Sequence, residues 1–190
     1  MSNIIRQILG QICEIPDEEW TKFSSLIRNR SLKKNDHLLE QGNRSKEFFF
    51  ISKGLLRFYY TTEEGKEFNK SFHKEHDFIG SLLTLKRDIP STFSIQALED
   101  CELFVVNYND LSNLYEDHPC WDRVGRIMAE EMAIRKELRE KEFLLESAET
   151  RYESFRRDFN DLNERINLGH IASYLGITQV QLSRIRKNIK

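Results

Sequence analysis

Residues 168–187 read LGHIASYLGITQVQLSRIRK, and this stretch decides the fold of the C-terminal part of the chain. Ala172, Gly176 and Leu182 stand four and then six residues apart. Two helices that cross steeply need a small side chain where their axes approach and a glycine where the turn takes a positive φ. An aliphatic side chain on the second helix then fills the space against the first. The spacing therefore predicts a helix-turn-helix. Its other core positions are expected to be Ile171, Leu175, Ile177 and Ile185.

The second helix of this motif would expose a polar and basic face. The hydroxyl of Thr178 is expected to cap the helix, because an oxygen at that position can accept a free backbone N–H. Gln and Arg form paired hydrogen bonds with adenine and guanine edges in the major groove, whereas Lys187 and Thr178 suit phosphate. We therefore predict DNA contacts from seven residues: Thr178, Gln179, Val180, Gln181, Ser183, Arg184 and Lys187.

The charge of the chain is unevenly distributed. Its 29 Lys and Arg and 31 Asp and Glu give a net charge of -2. Segment 165–190 carries +5, because it contains no acidic residue and five basic ones. A local positive charge of this kind suits a phosphate backbone. The alternative is an ordinary helical hairpin with a solvated basic surface. The basic residues are Arg165, Arg184, Arg186, Lys187 and Lys190.

Length and composition limit the class of protein. A chain of 190 residues can bury one larger and one smaller core, and 39% apolar with 32% charged residues is typical of a globular protein. No apolar run approaches the roughly 20 residues of a membrane span, and the N-terminus lacks the features of a secretory signal. We therefore expect a cytoplasmic protein without a membrane partner. Cys13, Cys101 and Cys120 are too widely spaced for a disulfide framework or a metal knuckle.

The middle of the chain carries the pattern of short strands. Between residues 36 and 106, runs rich in Phe, Tyr, Ile, Leu and Val alternate with glycines. Short strands with near-regular glycine turns favour a β-roll or jelly roll over a parallel sheet. An amphipathic helix is predicted before them, over 17–29. The clearest strands are expected at 48–51, 55–61, 68–72, 92–97 and 103–106.

A long helix is predicted after the strands. Pro119 stands where proline is tolerated in a first helical turn, and apolar residues recur at three-four spacing up to residue 145. A helix of about 25 residues is about 37 Å long and exceeds what a small domain covers. A second copy of the chain is the economical partner; packing on the chain's own β-roll is the alternative. The expected seam, with two charged members, is Val124, Ile127, Glu131, Ile134, Leu138, Lys141 and Leu145.

Three parts of the chain follow from these patterns. Ser147 interrupts the seam and can cap a further helix over 148–159. We predict an effector-type sensor domain at 1–118, a dimerisation helix at 119–146 and a helix-turn-helix domain at 147–190.

The order of these parts resembles that of the Crp/Fnr family of bacterial transcription regulators, over nearly the whole chain. The likeness rests on Gly42 with FFFISKGLLRFYY at 48–60, on DFIG at 77–80 and on the helix-turn-helix. It implies an α+β fold: a cyclic-nucleotide-binding-like β-roll or jelly roll, a dimerising helix and a winged-helix-like domain. It also implies a homodimer on a near-palindromic operator, with recognition helices about 34 Å apart. RNA polymerase is a further partner under this interpretation, and the small-molecule effector is unknown or absent.

Two positions depart from the cyclic-nucleotide-binding relatives. In those relatives a glutamate after Phe-x-Gly holds the ribose, and an Arg-Ser or Arg-Thr pair holds the cyclic phosphate. Ser81 and Ser91 stand at the two charged positions here. A phosphate without its cationic partner loses hydrogen bonds worth roughly 1.5–3 kcal/mol each. We therefore expect weak or no cyclic AMP binding. The altered pocket is expected at Gly80, Ser81, Leu82, Ser91 and Thr92.

The resemblance also bears on the operator. The base-reading positions of the cyclic-AMP receptor protein align with Gln179, Val180 and Arg184, and only the arginine is retained. The operator should therefore differ, with Arg184 on a guanine as the main contact.

No catalytic residue, metal site or cofactor is predicted. His73 and His76 form an HxxH pair, but residues three apart on a strand lie on opposite faces. The cysteine spacing does not fit the iron-sulfur branch of the family. Two alternatives stay open: a cupin-like metal-dependent enzyme on the same β-roll, and a protein-interaction module whose helix-turn-helix does not bind DNA.

Overall fold

The computed structural model describes residues 3–162 and 164–189. Its strands form two antiparallel sheets of four strands each. The described strands are β1 (Arg28–Leu32), β2 (His37–Leu39), β3 (Glu47–Lys53), β4 (Leu56–Thr61), β5 (Glu67–His73), β6 (Phe78–Ile79), β7 (Ser94–Ala97) and β8 (Cys101–Asn107).

Helices flank the sheets at both ends of the chain. None of those described has the length and apolar character needed to cross a membrane. They are α1 (Asn3–Ile12), α2 (Asp17–Ser25), α3 (Leu82–Arg87), α4 (Tyr108–Asp117), α5 (Pro119–Leu145), α6 (Ala148–Asp158), α7 (Leu168–Leu175) and α8 (Gln179–Asn188), with a short 3-10 helix at Asn160–Leu162.

The two sheets close around one apolar core, as the predicted β-roll requires. One sheet has the order β1-β8-β3-β6 and the other β2-β7-β4-β5. Ile51, Leu56 and Ile95 lie between the sheets and are fully buried. Each of the five predicted strands overlaps an observed one. The strand pattern did not identify β1, β2 and β6, which are short or mostly exposed.

The helix predicted at 17–29 is too long. It ends at Ser25, and Arg28–Leu32 instead pairs with β8 in antiparallel register, from Arg28 opposite Val105 to Leu32 opposite Cys101. The last apolar residues of the helical spacing, Leu26 and Ile27, lie between the helix end and β1, and the predicted helix overlaps β1 only at residues 28 and 29. Pairing with the mostly buried β8 therefore sets the start of β1, which the helical pattern did not mark.

The first turns of α5 belong to a core that also contains residues of the β-roll and of α1, α2 and α4. The His118 side chain caps the helix by accepting from the Cys120 N–H at 3.2 Å. The Trp121 indole is buried and donates to Glu19 at 2.9 Å. Val124 packs in the same cluster, with α1, α2 and α4. Val124 is therefore corrected from a dimer-seam residue to a residue of the chain's own core.

The C-terminal helices pack against the second sheet and share an apolar core with it. Leu55 and Phe72 from the sheet side contact a cluster that includes Tyr152, Phe155 and Leu162. Ser147 caps α6 as predicted, because its hydroxyl accepts from the Thr150 N–H at 3.2 Å. Residues 147–162 and 164–189 contain helices and no strand. Of the predicted winged-helix-like domain, the described residues therefore contain the helix-turn-helix and no strand of a wing.

Candidate nucleic-acid interface

The turn between α7 and α8 has the geometry that its glycine predicted. Gly176 ends α7 with a φ of +70°, and the Ile177 N–H donates to the Ala172 carbonyl at 3.0 Å. This is the left-handed helix end that glycine favours. A Cβ at Gly176 would stand 2.9 Å from the Phe143 ring on α5. The positive φ therefore favours glycine here, and any larger residue would also displace the exposed Phe143 ring.

The side chains between α7 and α8 form the predicted plug. Leu182 is 0% exposed, and Ile171, Ala172, Leu175 and Ile185 are buried around it. The small residue, the glycine and the aliphatic residue therefore form the predicted core of a helix-turn-helix, and that prediction is confirmed.

A capping box closes the start of α8. The Gln181 N–H donates to Thr178 Oγ1 at 3.2 Å, and the Thr178 N–H donates to Gln181 Oε1 at 2.9 Å. Both side chains therefore already satisfy free backbone groups at the N-terminus of the helix. The predicted cap is confirmed, while the carboxamide oxygen of Gln181 is not free for a base edge. Only the amide N–H groups of Gln181 remain for that role.

The other predicted DNA contacts lie on the exposed face of α8. Val180 is 61% exposed, and Ser183, Arg184 and Lys187 are also exposed. Within the described part of the chain, neither Arg184 nor Lys187 is paired with a carboxylate. Gln179 is also exposed. Its side-chain amide lies over the first turn of α7, because the amide nitrogen would stand 2.5 Å from a Cβ added at Gly169.

The basic segment divides into two groups. Arg165 faces the β-roll, where it forms ion pairs with Glu75 at 2.8 Å and Glu99 at 2.5 Å. Its charge is therefore neutralised and does not belong to the exposed patch. Lys190 lies outside the described residues. The remaining members, Arg184, Arg186 and Lys187, are exposed on α8.

Two arginines that the sequence did not single out hold the end of α7. Arg151 on α6 donates to the Leu175 carbonyl at 3.2 and 3.1 Å. Arg139 on α5 donates to the Tyr174 carbonyl and stacks on its ring, with 3.9 Å between the guanidinium carbon and the ring centroid. These carbonyls have no partner inside the helix. The motif is thereby tied to α5 and α6.

The opposite side of α7 docks on β5, the edge strand of its sheet. The Asn69 N–H donates to Ser173 Oγ at 2.9 Å, and the Ser173 hydroxyl donates to the Glu67 carbonyl at 3.2 Å. A helix that satisfies edge groups in this way removes an exposed strand edge. With α7 docked in this way, Arg184, Arg186 and Lys187 of α8 remain exposed.

His170 lies at the centre of this docking contact. Its Nδ1 is 3.3 Å from both Arg57 Nη1 and Asn69 Nδ2. Both neighbours can only donate, so Nδ1 accepts and the imidazole is neutral. Burial, and secondly the charge of Arg57, lower the pKa of His170 to about 4.

The predicted effector residues occupy different environments. Ser81 is buried, and its hydroxyl has no hydrogen-bond partner in the described part of the chain. Ser91 is also buried, and its hydroxyl donates to the Phe93 carbonyl at 2.8 Å. Leu82 and Thr92 are exposed, and a Cβ at Gly80 would stand 3.1 Å from Phe48 and Leu85. Their role stays a prediction.

The HxxH pair serves local structure. His73 Nε2 lies 3.0 Å from Ser71 Oγ, and His73 Nδ1 lies 3.4 Å from Asp77. The His76 ring stacks on Phe50. Across residues 3–162 and 164–189, no three His, Cys, Asp or Glu side chains are grouped to hold a metal.

Most of the predicted dimer seam is uncovered in the single chain. Ile134, Leu138 and Leu145 are 49%, 55% and 77% exposed. Ile127 is half-buried, while Glu131 and Lys141 are exposed. Further apolar side chains of α5 are also exposed: Met132, Phe143 and Leu144.

Comparison with known proteins finds a matching domain family and similar structures. Residues 29–118 match the family model for the cyclic nucleotide-binding domain. The fold is shared with FixK2 from Bradyrhizobium japonicum, with a TM-score of 0.75 at 16% identity over 86% of this chain and 84% of that one. With the relatives described next, these matches show that the chain is similar to Crp/Fnr regulators.

Two curated relatives have similar sequences. The cAMP-activated global transcriptional regulator CRP of Salmonella typhimurium is 27% identical over 112 residues, 59% of this chain and 52% of that protein. The Fumarate and nitrate reduction regulatory protein of Vibrio cholerae is 26% identical over 93% of this chain and 76% of that protein. The match to CRP thus spans about half the length of that relative. Both relatives are transcription regulators and not enzymes.

Proposed function

We propose that this protein is a sequence-specific, DNA-binding transcription regulator that acts as a homodimer in the cytoplasm. The observation that carries the proposal is the state of Arg184. Its guanidinium is exposed and unpaired within the described residues, on a helix whose other side is anchored by the fully buried Leu182.

The geometry of α8 suits insertion into a major groove. The capping box fixes the first turn of α8, and Val180, Ser183 and Arg184 are exposed on the helix beyond it. In the proposed complex Arg184 reads a guanine edge, because a guanidinium can donate to its N7 and O6 together. Lys187 contacts phosphate, and its charge contributes to affinity on any sequence. Since these contacts need no movement of α7, the docked motif is already exposed for binding.

A homodimer through α5 would supply the second recognition helix. The helix has 27 residues and is about 40 Å long at 1.5 Å per residue. Only its first turns are covered by the chain's own core. The exposed Ile134, Leu138 and Leu145 would be buried between two copies. Arg139 and Arg151 hold α7 against α5 and α6, so the dimer would also set the distance between the two α8 helices.

The sensor part is proposed not to use cyclic AMP. The Ser91 hydroxyl is engaged with the Phe93 carbonyl, and Ser81 offers no charge to a ribose. Titration calorimetry should therefore show no saturable cyclic AMP binding at micromolar concentration. Micromolar or tighter affinity would contradict this part of the proposal.

Binding to DNA is tested by selecting fragments from the source genome and measuring their affinity at several salt concentrations. Arg184→Ala should cost roughly 1–3 kcal/mol on the selected site and relax selectivity there, whereas Lys187→Ala should weaken all sequences alike. Arg87→Ala, at an exposed arginine of α3, is the matched control and should change neither. Equal losses on all sequences for both α8 variants would reject Arg184 as a base contact. Absence of salt-dependent binding would favour the protein-interaction module.

The dimer is tested by sedimentation of the full chain. Ile134→Glu with Leu138→Glu places two charges on the exposed stripe and should leave a folded monomer. Glu140→Ala, at another exposed residue of α5, should sediment as the unchanged protein does. A monomeric unchanged protein at micromolar concentration would contradict the homodimer.

A further inference from the structure

Cys13 and Cys120 are 107 residues apart in the chain, and the fold brings them into contact. The Cys13 thiol donates to the Cys120 carbonyl, with 3.5 Å between sulfur and oxygen. Cys120 belongs to the apolar cluster that α1, α2 and α4 form with the first turns of α5, and Cys13 packs against that cluster. The two thiols are therefore neighbours in space, although their spacing in the sequence predicted no pairing.

The geometry of this contact suits a disulfide. Standard bond lengths put a carbonyl oxygen less than about 2.8 Å from the Cα of its own residue, so Cys13 Sγ lies within about 6.3 Å of Cys120 Cα. Disulfides join residues whose Cα atoms are about 4.4–6.8 Å apart. Cys13 follows the last residue of α1, and Cys120 is the second residue of α5. Because helix ends fray, a small shift at the end of α1 can bring the two sulfur atoms together.

The two thiols differ in exposure. Cys13 is half-buried, whereas Cys120 is buried. Burial, and secondly the neighbouring Cys13, raise the pKa of the Cys120 thiol. An oxidant from solvent therefore meets Cys13 first, since the accessible sulfur is the one that reacts. A second cysteine in contact with the first is the arrangement that resolves an oxidised sulfur into a disulfide.

Cys101 provides a comparison within the same chain. It lies in β8, in the core between the two sheets, and its thiol donates to the Glu99 carbonyl at 3.2 Å. Burial raises the pKa of this thiol to about 11. Cys101 is therefore expected to stay reduced under conditions in which Cys13 reacts.

We propose that Cys13 and Cys120 form a reversible disulfide when the protein meets hydrogen peroxide. The Cys13 thiolate attacks one peroxide oxygen, the O–O bond breaks, and hydroxide leaves as Cys13 becomes a sulfenic acid. The Cys120 sulfur then attacks the Cys13 sulfur, the S–O bond breaks and a second hydroxide leaves. The two thiol protons convert both hydroxides to water, so two thiols are oxidised and one peroxide is reduced. A small thiol reverses the reaction by exchange.

The disulfide would act on α5, and this consequence rests on the proposed function. The bond would fix the end of α1 against the first turn of α5, next to the buried Trp121. The same helix continues to the exposed Ile134 and Leu138 of the proposed dimer. A rigid helix can carry a shift from one end to the other. Oxidation is therefore expected to change the affinity for DNA.

The disulfide is tested on the full, reduced chain with a small excess of hydrogen peroxide, followed by alkylation of the remaining thiols and peptide mapping by mass spectrometry. Two thiols of each chain should be lost, in a peptide that links Cys13 to Cys120, and Cys101 should be recovered in alkylated form. Dithiothreitol should restore all three thiols. Three unchanged thiols, oxidation of Cys101 at the same rate, or a link between the Cys13 residues of two copies overturns the proposal.

Two variants separate the roles of the sulfur atoms, and the peptide map of the unchanged chain does not depend on them. Cys120→Ser removes the resolving sulfur, so Cys13 should persist as a sulfenic acid that dimedone labels. Cys13→Ser should keep Cys120 reduced at the same peroxide concentration. Oxidation of Cys120 in Cys13→Ser as fast as in the unchanged chain would contradict the order of the two steps.

Affinity for the selected DNA is compared between the reduced and the oxidised chain. A change of about fivefold or more, which Cys13→Ser abolishes, would support control of DNA binding by the disulfide. Equal affinities would reject this control and keep the disulfide. Absence of DNA binding in both states would reject only the proposed function, because the peptide map measures the disulfide without DNA.

Discussion

Acid should weaken the docking of the helix-turn-helix on the β-roll, and His170 is the group through which it acts. The pKa of His170 is lowered from 6.5 to about 4 by burial and by Arg57. Between these values the unfolded chain binds a proton that the folded chain does not. Stability therefore rises with pH through this window and is lost as the pH falls. Protonation would also turn Nδ1 from an acceptor into a donor that faces the two donors Arg57 and Asn69.

The size of the effect follows from the two pKa values. Linkage between 6.5 and about 4 gives a loss of about 2 kcal/mol on going from pH 7.5 to pH 5. The ring is only partly buried, so solvent screening reduces this loss, and we expect about 1–2 kcal/mol.

The assay is urea unfolding of the full chain at pH 7.5 and pH 5. His170→Asn retains an acceptor near the position of Nδ1 and removes the titrating ring, so it should lose about 1–2 kcal/mol less than the unchanged protein. His76→Asn is the matched control, because His76 has a φ of +75° that Asn tolerates and lies away from α7. It should keep the full pH dependence. If His170→Asn lost stability as steeply as the unchanged protein, the reasoning would be refuted.

Three further predictions concern the same part of the molecule. Leu182→Ala should cost about 2–5 kcal/mol in urea unfolding, because it opens a cavity at a fully buried position; a loss below about 1 kcal/mol would contradict the plug. Gly176→Ala should cost about 1–2 kcal/mol through its positive φ, with a further effect from Phe143, and Gly10→Ala in open space should not be destabilising. Arg165→Met should destabilise the chain at pH 7. Burial alone would raise the pKa of Glu75, but Arg165 and backbone N–H groups lower it to about 2. The loss of stability in the variant should therefore shrink as the pH falls from 4.5 towards 2. A loss of stability that stayed constant with pH would show that the ion pair is unimportant.

Local patterns predicted the parts of the fold whose physical cause is local. The turn at Gly176 needs a positive φ, the plug needs an aliphatic residue six positions later, and Thr178 needs only its own helix N-terminus. Each of these was readable from the sequence and is present. The apolar period of α5 also predicted its length, because Pro119 and the helix end at Leu145 are both marked in the sequence.

Patterns of this kind failed where a distant segment decides the outcome. Arg28–Leu32 is a strand because β8 lies beside it, and Val124 is a core residue because α1, α2 and α4 cover it. Arg165 looked like part of a basic patch until Glu75 and Glu99, far away in the chain, were placed against it. No local feature distinguishes these residues from exposed ones.

The sequence by itself determined the helix-turn-helix, the β-roll and the long helix, because these depend on periodicity, glycine and capping groups within short stretches. Only the tertiary structure decided which charges remain free. It pairs Arg165 with Glu75 and Glu99 and leaves Arg184 exposed. It also places Lys70 over the rings of Phe58 and Phe93. The physical reason is that burial and counter-charge are properties of neighbours in space, and these neighbours come from segments that the chain brings together only when it folds.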